Sequence, residues 1–311
     1  MAADQRRSAR RERGLPGGAA RRAWPGVTPF AKVAIVGTGA VGASVGGGLR
    51  ARGLATAVWG LDPANAEAAR AVGAIDRVAA SLGEALDGAD LVLLAAPVPV
   101  NRALLGDAAL REALGPRAVL TDVSSTKASV VAAAHAGLGA RLGRFVASHP
   151  IAGSDRAGPA AARSDLIAGA HVIVCPTEDC DADALATVEA MWAALGGRVA
   201  RMDAAHHDRL FAEVSHWPHA VAFALSASVG CGPLADDARR YHGAGLRDTT
   251  RVGGSPPDLW AGILLDNREA SLAAAAAFRV ELERIERALA DGDRVALVAA
   301  LERGAAWRTT L

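Results

Sequence analysis

Residues 32–42 read KVAIVGTGAVG, an apolar run followed by three glycines in the spacing G-x-G-x-x-G. The run has the length and composition of a buried strand, and the sequence after the glycines is compatible with a helix. In such a turn the first glycine allows a tight bend, the second lets the backbone approach a pyrophosphate, and the third lets helix and strand pack closely. The N–H groups at the start of the helix can then hold the phosphates. The stretch predicts a dinucleotide site with contacts from Gly37, Gly39, Ala40, Val41 and Gly42.

A carboxylate follows at the position where it can read the ribose of such a cofactor. Asp62 lies 20 residues after Gly42, near the end of a second predicted strand at Ala55–Trp59. A carboxylate there accepts hydrogen bonds from a free 2′-hydroxyl and repels a 2′-phosphate, which favours NAD over NADP. A solvated turn residue is the plainer interpretation of Asp62. After the next apolar run, residues 90–95, we expect Ala96 and Pro97 to lie at the edge of the sheet that the cofactor crosses.

The rest of the chain divides into two parts with different patterns. Apolar strand runs alternate with helical stretches up to about residue 202, which is typical of a parallel sheet covered on both faces. Alanine-rich amphipathic stretches follow, such as 264–290 and 293–303. We therefore predict a Rossmann-like α/β domain over residues 30–202 and an all-α domain over residues 203–311. Close approach of alanine-rich helices suits a subunit interface, and an arginine-rich segment, residues 1–29, is interpreted as a disordered arm.

Composition excludes several classes of protein. The net charge of +1 argues against a nucleic-acid-binding protein, which needs a concentrated basic surface. Apolar runs of about 18 residues, as a membrane span requires, do not occur in the sequence. Three cysteines without CxxC spacing suit a reducing cytoplasm.

Titratable residues follow two further predicted strands. Asp122–Lys127 reads DVSSTK, and Ser148–Ser154 reads SHPIAGS. Because strand ends face the ligand crevice of a doubly wound sheet, Ser125, Lys127 and His149 are expected to converge there. A dehydrogenase removes a hydroxyl proton as hydride leaves, and histidine titrates near working pH. His149 is the candidate base.

More histidines and arginines lie in the helical part. His216 and His219 are spaced i, i+3 on one side of a helix that Pro218 should bend. A metal site with His206 or His207 is one interpretation, but pocket or inter-domain histidines are favoured and no metal is expected. A cap at the start of the long helix is a plainer alternative for His207 and Asp208. Arg251 and Arg247 would suit a dicarboxylate substrate, because guanidinium binds carboxylate in a two-pronged fork.

Taken together and in order, these segments resemble the prephenate/arogenate dehydrogenase family of tyrosine biosynthesis. The resemblance covers roughly residues 32–290 and rests on the glycine-rich turn, Asp122–Lys127, Ser148–Ser154, His207–Ala220, Gly245–Arg251 and Ser255–Trp260. It implies oxidative decarboxylation of prephenate or arogenate with NAD, and a homodimer formed by the helical domain. No single residue discriminates between the two substrates, and no appended regulatory domain or fused mutase segment is expected.

The resemblance also implies roles for individual residues. His149 would bind the ring hydroxyl of the substrate and accept its proton, with Ser125 contacting the same hydroxyl and orienting the nicotinamide. Arg251 would bind a substrate carboxylate. Further substrate contacts are expected from Ser154, His216, His219 and Arg247.

Three alternatives remain open at this stage. A relative of secondary metabolism that acts on 4-amino-4-deoxyprephenate is one alternative that the sequence does not exclude, although His149 suits a hydroxyl substrate. A 3-hydroxyacid dehydrogenase would use a lysine, for which Lys127 is the candidate. A dinucleotide sensor without catalytic activity would bind NAD without turnover.

Overall fold

The computed structural model describes residues 28–153 and 157–310. The predicted N-terminal arm therefore lies outside the described residues except for Thr28 and Pro29, and so does Ser154. Among the described helices, none is long and apolar enough to cross a membrane.

Within residues 28–153 and 157–310, eight strands form one sheet in the N-terminal part of the chain. The strands are β1 Phe30–Val36, β2 Ala55–Leu61, β3 Arg77–Val78, β4 Leu91–Leu94, β5 Val119–Asp122, β6 Phe145–Pro150, β7 His171–Cys175 and β8 Arg198–Arg201. Their order is β3-β2-β1-β4-β5-β6-β7-β8, and each neighbouring pair is parallel except β6 and β7. The Rossmann-like fold is confirmed, but the expectation of a wholly parallel sheet is wrong at β6–β7. Sequence patterns also missed β3 and β8, since β3 has two residues and β8 carries arginine at both ends.

In the described part of the chain, seven α-helices cover the two faces of this sheet. They are α1 Ala40–Ala51, α2 Ala66–Ala71, α3 Leu82–Leu86, α4 Val98–Leu105, α5 Ala108–Ala113, α6 Ala128–Gly137 and α7 Ala182–Ala194. Alternate residues of β1 and β4 belong to two separate buried clusters, with Val33 and Ile35 in one and Ala34 and Val36 in the other. Apolar side chains are therefore buried on both faces, which explains the continuous apolar runs of these strands.

Helix α2 begins later than the sequence suggests. We expect a helix from Pro63, but the first helical residue is Ala66. The carboxylate of Asp62 accepts hydrogen bonds from the amides of Ala64 and Asn65, both at 3.0 Å. This local turn satisfies the amides that would otherwise open the helix and delays its start.

The remaining helices make up the C-terminal part of the chain. They are α8 Ala204–Phe211, α9 Trp217–Gly230, α10 Ala235–Tyr241, α11 Ala244–Thr250, α12 Pro257–Asp266, α13 Arg268–Ala290 and α14 Arg294–Arg308. One π-helical turn, Ala212–His216, joins α8 to α9, so that Pro218 lies in the first turn of α9, where its missing N–H is tolerated. The expected helix over 264–290 is interrupted at Asn267, whose φ of −103° and ψ of 39° lie outside the helical region.

Polar segments meet at one edge of the sheet. Strands β1, β4, β5 and β6 run in the same direction, so the segments that follow them lie at a common carboxyl edge. These are the glycine-rich turn, Ala95–Pro97, the Asp122–Lys127 segment and His149–Pro150. Helix α8 and the α12–α13 junction pack over this edge, as contacts to Lys127 and Thr126 show.

Candidate active site

The glycine-rich turn fits a dinucleotide. Gly37 has a φ of +94°, and a Cβ there would overlap the backbone between Ala95 and Ala96. A Cβ on Gly42 would overlap the Gly37 carbonyl oxygen, so both positions require glycine. Gly39, at the N-terminus of α1, instead faces open space within 4 Å. The backbone at the start of α1, a helix of 12 residues, is therefore open to a pyrophosphate.

Asp62 is tied to the glycine-rich turn. Its Oδ2 accepts hydrogen bonds from the Thr38 amide at 2.9 Å and from the Asn65 side chain at 3.1 Å, while Oδ1 accepts the two amides of the turn before α2. Partial burial acts to raise the pKa of Asp62, but these hydrogen bonds outweigh it and the pKa lies below its usual value. Asp62 is therefore an anion. Because each oxygen already accepts two hydrogen bonds, a ribose hydroxyl must displace one donor, and the Asn65 side chain is the easiest to move.

A chain of three side chains runs from the sheet edge into the helical part. His149 Nδ1 lies 2.9 Å from His207 Nε2, and His207 Nδ1 lies 2.8 Å from Asp208 Oδ1. Phe211 packs against both imidazoles, stacked on His207 with ring centroids 4.3 Å apart. All of these groups are buried, with His149 9% exposed and His207 fully enclosed.

Charges in this chain follow from its surroundings. Burial acts to raise the pKa of Asp208, but hydrogen bonds from His207 and from the amides of Ala128 and Lys127 lower it, so that Asp208 is ionised. Burial lowers the pKa of His207, although Asp208 opposes the shift. His149 has a pKa well below its usual value because of burial and the nearby cationic forms of His207, Lys127 and His216. Both histidines are therefore neutral.

The order of the hydrogen bonds then assigns the protons. Asp208 can only accept, so His207 Nδ1 carries a proton and its Nε2 accepts from His149 Nδ1. The unprotonated nitrogen of His149 is consequently Nε2, as a proton acceptor requires. The sequence offered His207 and Asp208 as a cap for their own helix, but they do not have this role in the structure. Asp203 caps α8 by accepting from the His206 amide, while Asp208 accepts from the first amides of α6.

Lys127 stabilises the strand ends and is not a base. Its Nζ lies 2.5 Å from Asp122 Oδ2 and 2.7 Å from the Ser148 carbonyl oxygen, and both charged side chains are fully buried. Asp122 Oδ1 in turn accepts the Ser148 amide at 2.9 Å. The expected convergence of Lys127 on the crevice is therefore wrong, because its amine is enclosed between β5 and β6.

His216 and His219 both pack against Trp260. The His219 ring stacks on Trp260 with centroids 3.5 Å apart, and His216 meets the same ring edge-on at 6.3 Å. The Nδ1 atom of His216 lies 3.1 Å from the Asn267 side-chain amide, and that of His219 lies 2.8 Å from the Ser215 carbonyl oxygen. Among residues 28–153 and 157–310, no group of His, Cys, Asp or Glu side chains is arranged to hold a metal ion.

Ser125 belongs to the same neighbourhood. Its side chain is half-buried, and its main chain lies near enough to His216 to favour the protonated ring slightly. The cationic form of His216 in turn lowers the pKa of His149. The structure therefore brings Ser125, His149 and His216 together, whereas Ser154 lies outside the described residues.

Both predicted arginines line a cavity of about 410 Å³ between α9, α10 and α11. Burial is the main reason why the pKa of His219 is lowered, and the charge of the nearby Arg251 lowers it further. In the described part of the chain, no hydrogen bond or ion pair joins Arg247 or Arg251 to His149. Arg239 also lines this cavity and adds positive charge, and His242 is a further lining residue.

Comparison with known proteins places this site in a family. The model of the prephenate dehydrogenase nucleotide-binding domain matches residues 45–201, and that of the prephenate dehydrogenase dimerization domain matches residues 203–303. The chain belongs to the prephenate dehydrogenase family. The curated cyclohexadienyl dehydrogenase of Zymomonas mobilis is 33% identical over 273 residues, covering 86% of this chain and 92% of that protein. The family resemblance read from the sequence is confirmed.

Solved structures of family members have the same architecture. Prephenate dehydrogenase from A. aeolicus, solved with hydroxyphenyl propionate and NAD+, is 32% identical with a TM-score of 0.82, covering 91% of this chain and 99% of that one. Arogenate dehydrogenase from Synechocystis is 28% identical with a TM-score of 0.73, covering 90% and 99%. A 3-hydroxyisobutyrate dehydrogenase from Mycobacterium tuberculosis, 17% identical with a TM-score of 0.54, shares the fold alone.

Sequence reasoning missed three polar residues of the site: His207 as the partner of His149, Asp208 as the partner of His207, and Asn267 as the partner of His216. It also missed Asp266 beside Asn267, whose carboxylate contacts Arg102, Thr126 and Ser129 away from these histidines. The adjacent His207–Asp208 pair was visible as a motif, but its interpretation as a helix cap followed from position alone. Asp266 and Asn267 lie within an amphipathic stretch, and only the helix break reveals them.

Proposed function

We propose that this protein is an NAD-dependent dehydrogenase that oxidises and decarboxylates prephenate, arogenate or both, in tyrosine biosynthesis. One observation carries the proposal: the Asp208–His207–His149 chain leaves His149 neutral, with Nε2 as its free acceptor. A hydroxyl group donating to that nitrogen loses its proton as the adjacent carbon loses hydride. Membership of the family supplies the substrate class, and its relatives include both prephenate and arogenate dehydrogenases.

Residues at the sheet edge would bind the cofactor. The N–H groups of Ala40 and Val41 at the start of α1 hold the pyrophosphate, and Gly37, Gly39 and Gly42 give it room. Asp62 would accept hydrogen bonds from the ribose hydroxyls, and Ala96 and Pro97 would flank the cofactor where it crosses the edge of the sheet. Bound NAD accepts the hydride that the oxidation releases.

The remaining site residues orient the substrate. His149 accepts the hydroxyl proton, and Ser125 contacts the same hydroxyl. The positive charge that forms on His149 is stabilised by its hydrogen bond to His207, which is itself bonded to the ionised Asp208. This makes proton transfer to a buried histidine easier. Loss of the ring carboxylate as CO2 gives an aromatic product, and this makes the reaction irreversible in practice.

Cationic and aromatic groups of the helical part would hold the substrate carboxylates. Arg251 is the principal candidate because guanidinium binds carboxylate bidentately, with Arg247 beside it. His216 and His219 would contact the substrate from beside Trp260. Ser154, which lies outside the described residues, is a further candidate contact. The direct test mixes the purified protein with NAD and either prephenate or arogenate and follows NADH formation. Turnover of neither substrate, with NAD binding intact, would overturn the proposal in favour of 4-amino-4-deoxyprephenate or a sensor.

The protein is further proposed to act as a homodimer through residues 203–311, with residues 30–202 as the NAD-binding domain. Helix α9 is strongly apolar, yet Ala222 is its one buried residue in the described single chain. Large apolar side chains are also exposed on α13 and α14, among them Leu272, Leu289, Val295 and Trp307. Apolar area of this extent marks an interaction surface. Sedimentation equilibrium giving a monomer mass would contradict the dimer.

A cytoplasmic location is proposed on the chemistry of the cysteines. Cys175, Cys180 and Cys231 are all free thiols in the structure. Free thiols persist in a reducing compartment. Cell fractionation that recovers the activity outside the cytoplasm would contradict this location.

A further inference from the structure

The junction of α12 and α13 reaches from the helical part into the site. Asn267 interrupts the helix there and is 8% exposed. Its side-chain Nδ2 lies 2.7 Å from the Asp208 carbonyl oxygen and 3.1 Å from His216 Nδ1. Both hydrogens of the amide are thus directed at groups next to the proposed catalytic chain.

These two contacts determine where His216 carries its proton. The Asp208 carbonyl oxygen can only accept, which fixes the orientation of the Asn267 amide with its nitrogen facing both partners. The same nitrogen can only donate, so His216 Nδ1 must be the acceptor. The proton of the neutral ring is therefore on Nε2.

The surroundings keep this ring neutral. His216 is 1% exposed, and burial lowers its pKa to about 4. Asp208 on α8 opposes that shift, while His207 on α8 and His219 on α9 reinforce it. Asp266 on α12 is turned away, because its carboxylate accepts from Thr126, Ser129 and Arg102.

The resulting donor is unused in this structure. His216 Nε2 is buried and has no hydrogen-bond partner among the described residues. The main chain of Ser125 approaches this ring, but no hydrogen bond joins it to His216 Nε2 in the described residues. A neutral Nε2–H donor next to the main chain of Ser125 can hold this segment in place.

We propose that Asn267 is a positioning residue: it fixes His216 as the Nε2–H tautomer, which then donates to the Ser125 segment and holds that serine against the substrate hydroxyl. The inference rests on the proposed dehydrogenase function for its effect on turnover. The tautomer itself does not depend on that function. Asn267 and His216 act through Ser125 and leave the hydride transfer to other groups.

The first experiment needs no variant. Nitrogen-15 NMR of imidazole-labelled protein distinguishes the two neutral tautomers, and a His216→Gln variant assigns the signal. We expect His216 to show a protonated Nε2 and an unprotonated Nδ1 from neutral pH down to about pH 5, above its pKa of about 4. A protonated Nδ1, or titration of His216 near its ordinary pKa, would overturn the proposal whether or not the protein turns over prephenate.

The second experiment compares three variants by pH profile. Asn267→Asp replaces the donor with an acceptor, which moves the His216 proton to Nδ1 and raises its pKa. We expect kcat to fall on the order of tenfold, the effect of one hydrogen bond to a positioned group, with the acidic limb of the profile moved to higher pH and the KM for NAD retained. Asn267→Leu removes the donor without adding a charge, so kcat should fall while the acidic limb stays in place.

The matched control is the neighbouring residue. Asp266→Asn weakens contacts across the same boundary between the two parts of the chain but touches no imidazole, so it should lower Tm and leave the pH profile of kcat unchanged. If all three variants lose stability and keep the wild-type pH profile of kcat, Asn267 has only a structural role and the proposal fails. If only Asn267→Asp shifts the limb, the proposal holds.

Discussion

Replacing His207 by Phe tests the buried chain behind the proposed base. The new ring can keep the stacking on Phe211, where the centroids are now 4.3 Å apart, and so preserves the shape of the cluster. Both ring nitrogens are lost, and with them the 2.9 Å contact to His149 and the 2.8 Å contact to Asp208. Asp208 retains the amides of Lys127 and Ala128, so α6 stays capped.

The size of the effect follows from the bonds removed. His149 Nδ1–H loses its acceptor, and leaving one buried donor unpaired costs about 1–3 kcal/mol. The ring can avoid this cost only by moving its proton to Nε2, the nitrogen that must accept from the substrate. We therefore expect kcat to fall by about 10- to 100-fold, since about 1.4 kcal/mol corresponds to tenfold in rate. Loss of the base itself, in His149→Ala, should cost more, on the order of 10² to 10⁴.

The assay is NADH formation at saturating NAD and substrate, with the KM for NAD measured in parallel as a check on the cofactor site. His206→Phe is the matched control, because His206 is the exposed neighbour on the same helix and should leave kcat unchanged. The double variant decides the mechanism. If His207 acts through His149, the double variant is no slower than His149→Ala alone. Multiplicative losses, or an unchanged kcat in His207→Phe, would refute the reasoning.

Other features of the site allow further tests. Arg251→Ala should mainly raise the substrate KM, because it removes carboxylate binding in ground and transition states alike, and a fall in kcat alone in steady-state assays would contradict that role. Asp62→Ala should erode the preference for NAD over NADP, and an unchanged ratio of kcat/KM values would argue against ribose recognition. Asp266→Asn weakens three hydrogen bonds of 2.6–2.7 Å across the boundary between the two parts of the chain and should lower the unfolding free energy by about 1.5–3 kcal/mol, measured by calorimetry. Because the pKa of His216 is lowered from 6.5 to about 4, the unfolded chain binds this proton first, so denaturant titrations should show stability falling as pH drops through that range, and less so in His216→Leu.

Much of the fold was readable because its signals are local. The run before Gly37 is apolar on both faces of the sheet, and the positive φ of Gly37 has a unique residue preference. The apolar run at residues 171–175, HVIVC, predicts a strand in the same way, and β7 spans these residues. Strand β3 was missed because two residues carry no periodicity. The antiparallel pairing of β6 with β7 was missed because strand direction depends on the path of the connecting loop.

The site was readable in part. The positions of Ser125 and His149 at strand ends follow from topology, and their proximity to His216 follows from the family resemblance. The roles of His207 and Asp208 could not be read, since they depend on a hydrogen-bond direction across 58 residues of sequence. Lys127 appeared to be a candidate base because burial is not visible in a motif, and the structure encloses its amine completely.

That enclosure makes Lys127 a natural chemical reporter. Lys32 and Lys127 are the only lysines in the chain, so an amine-directed label has few places to react. Lys32 is partly accessible, whereas the amine of Lys127 becomes reactive only when β5, β6 and the overlying α8 separate. The labelling rate at Lys127, followed by mass spectrometry, therefore measures how often the protein opens at its own centre. Ligands that bind in the site should slow the labelling of Lys127, and the labelling rate of Lys32 serves as the internal reference.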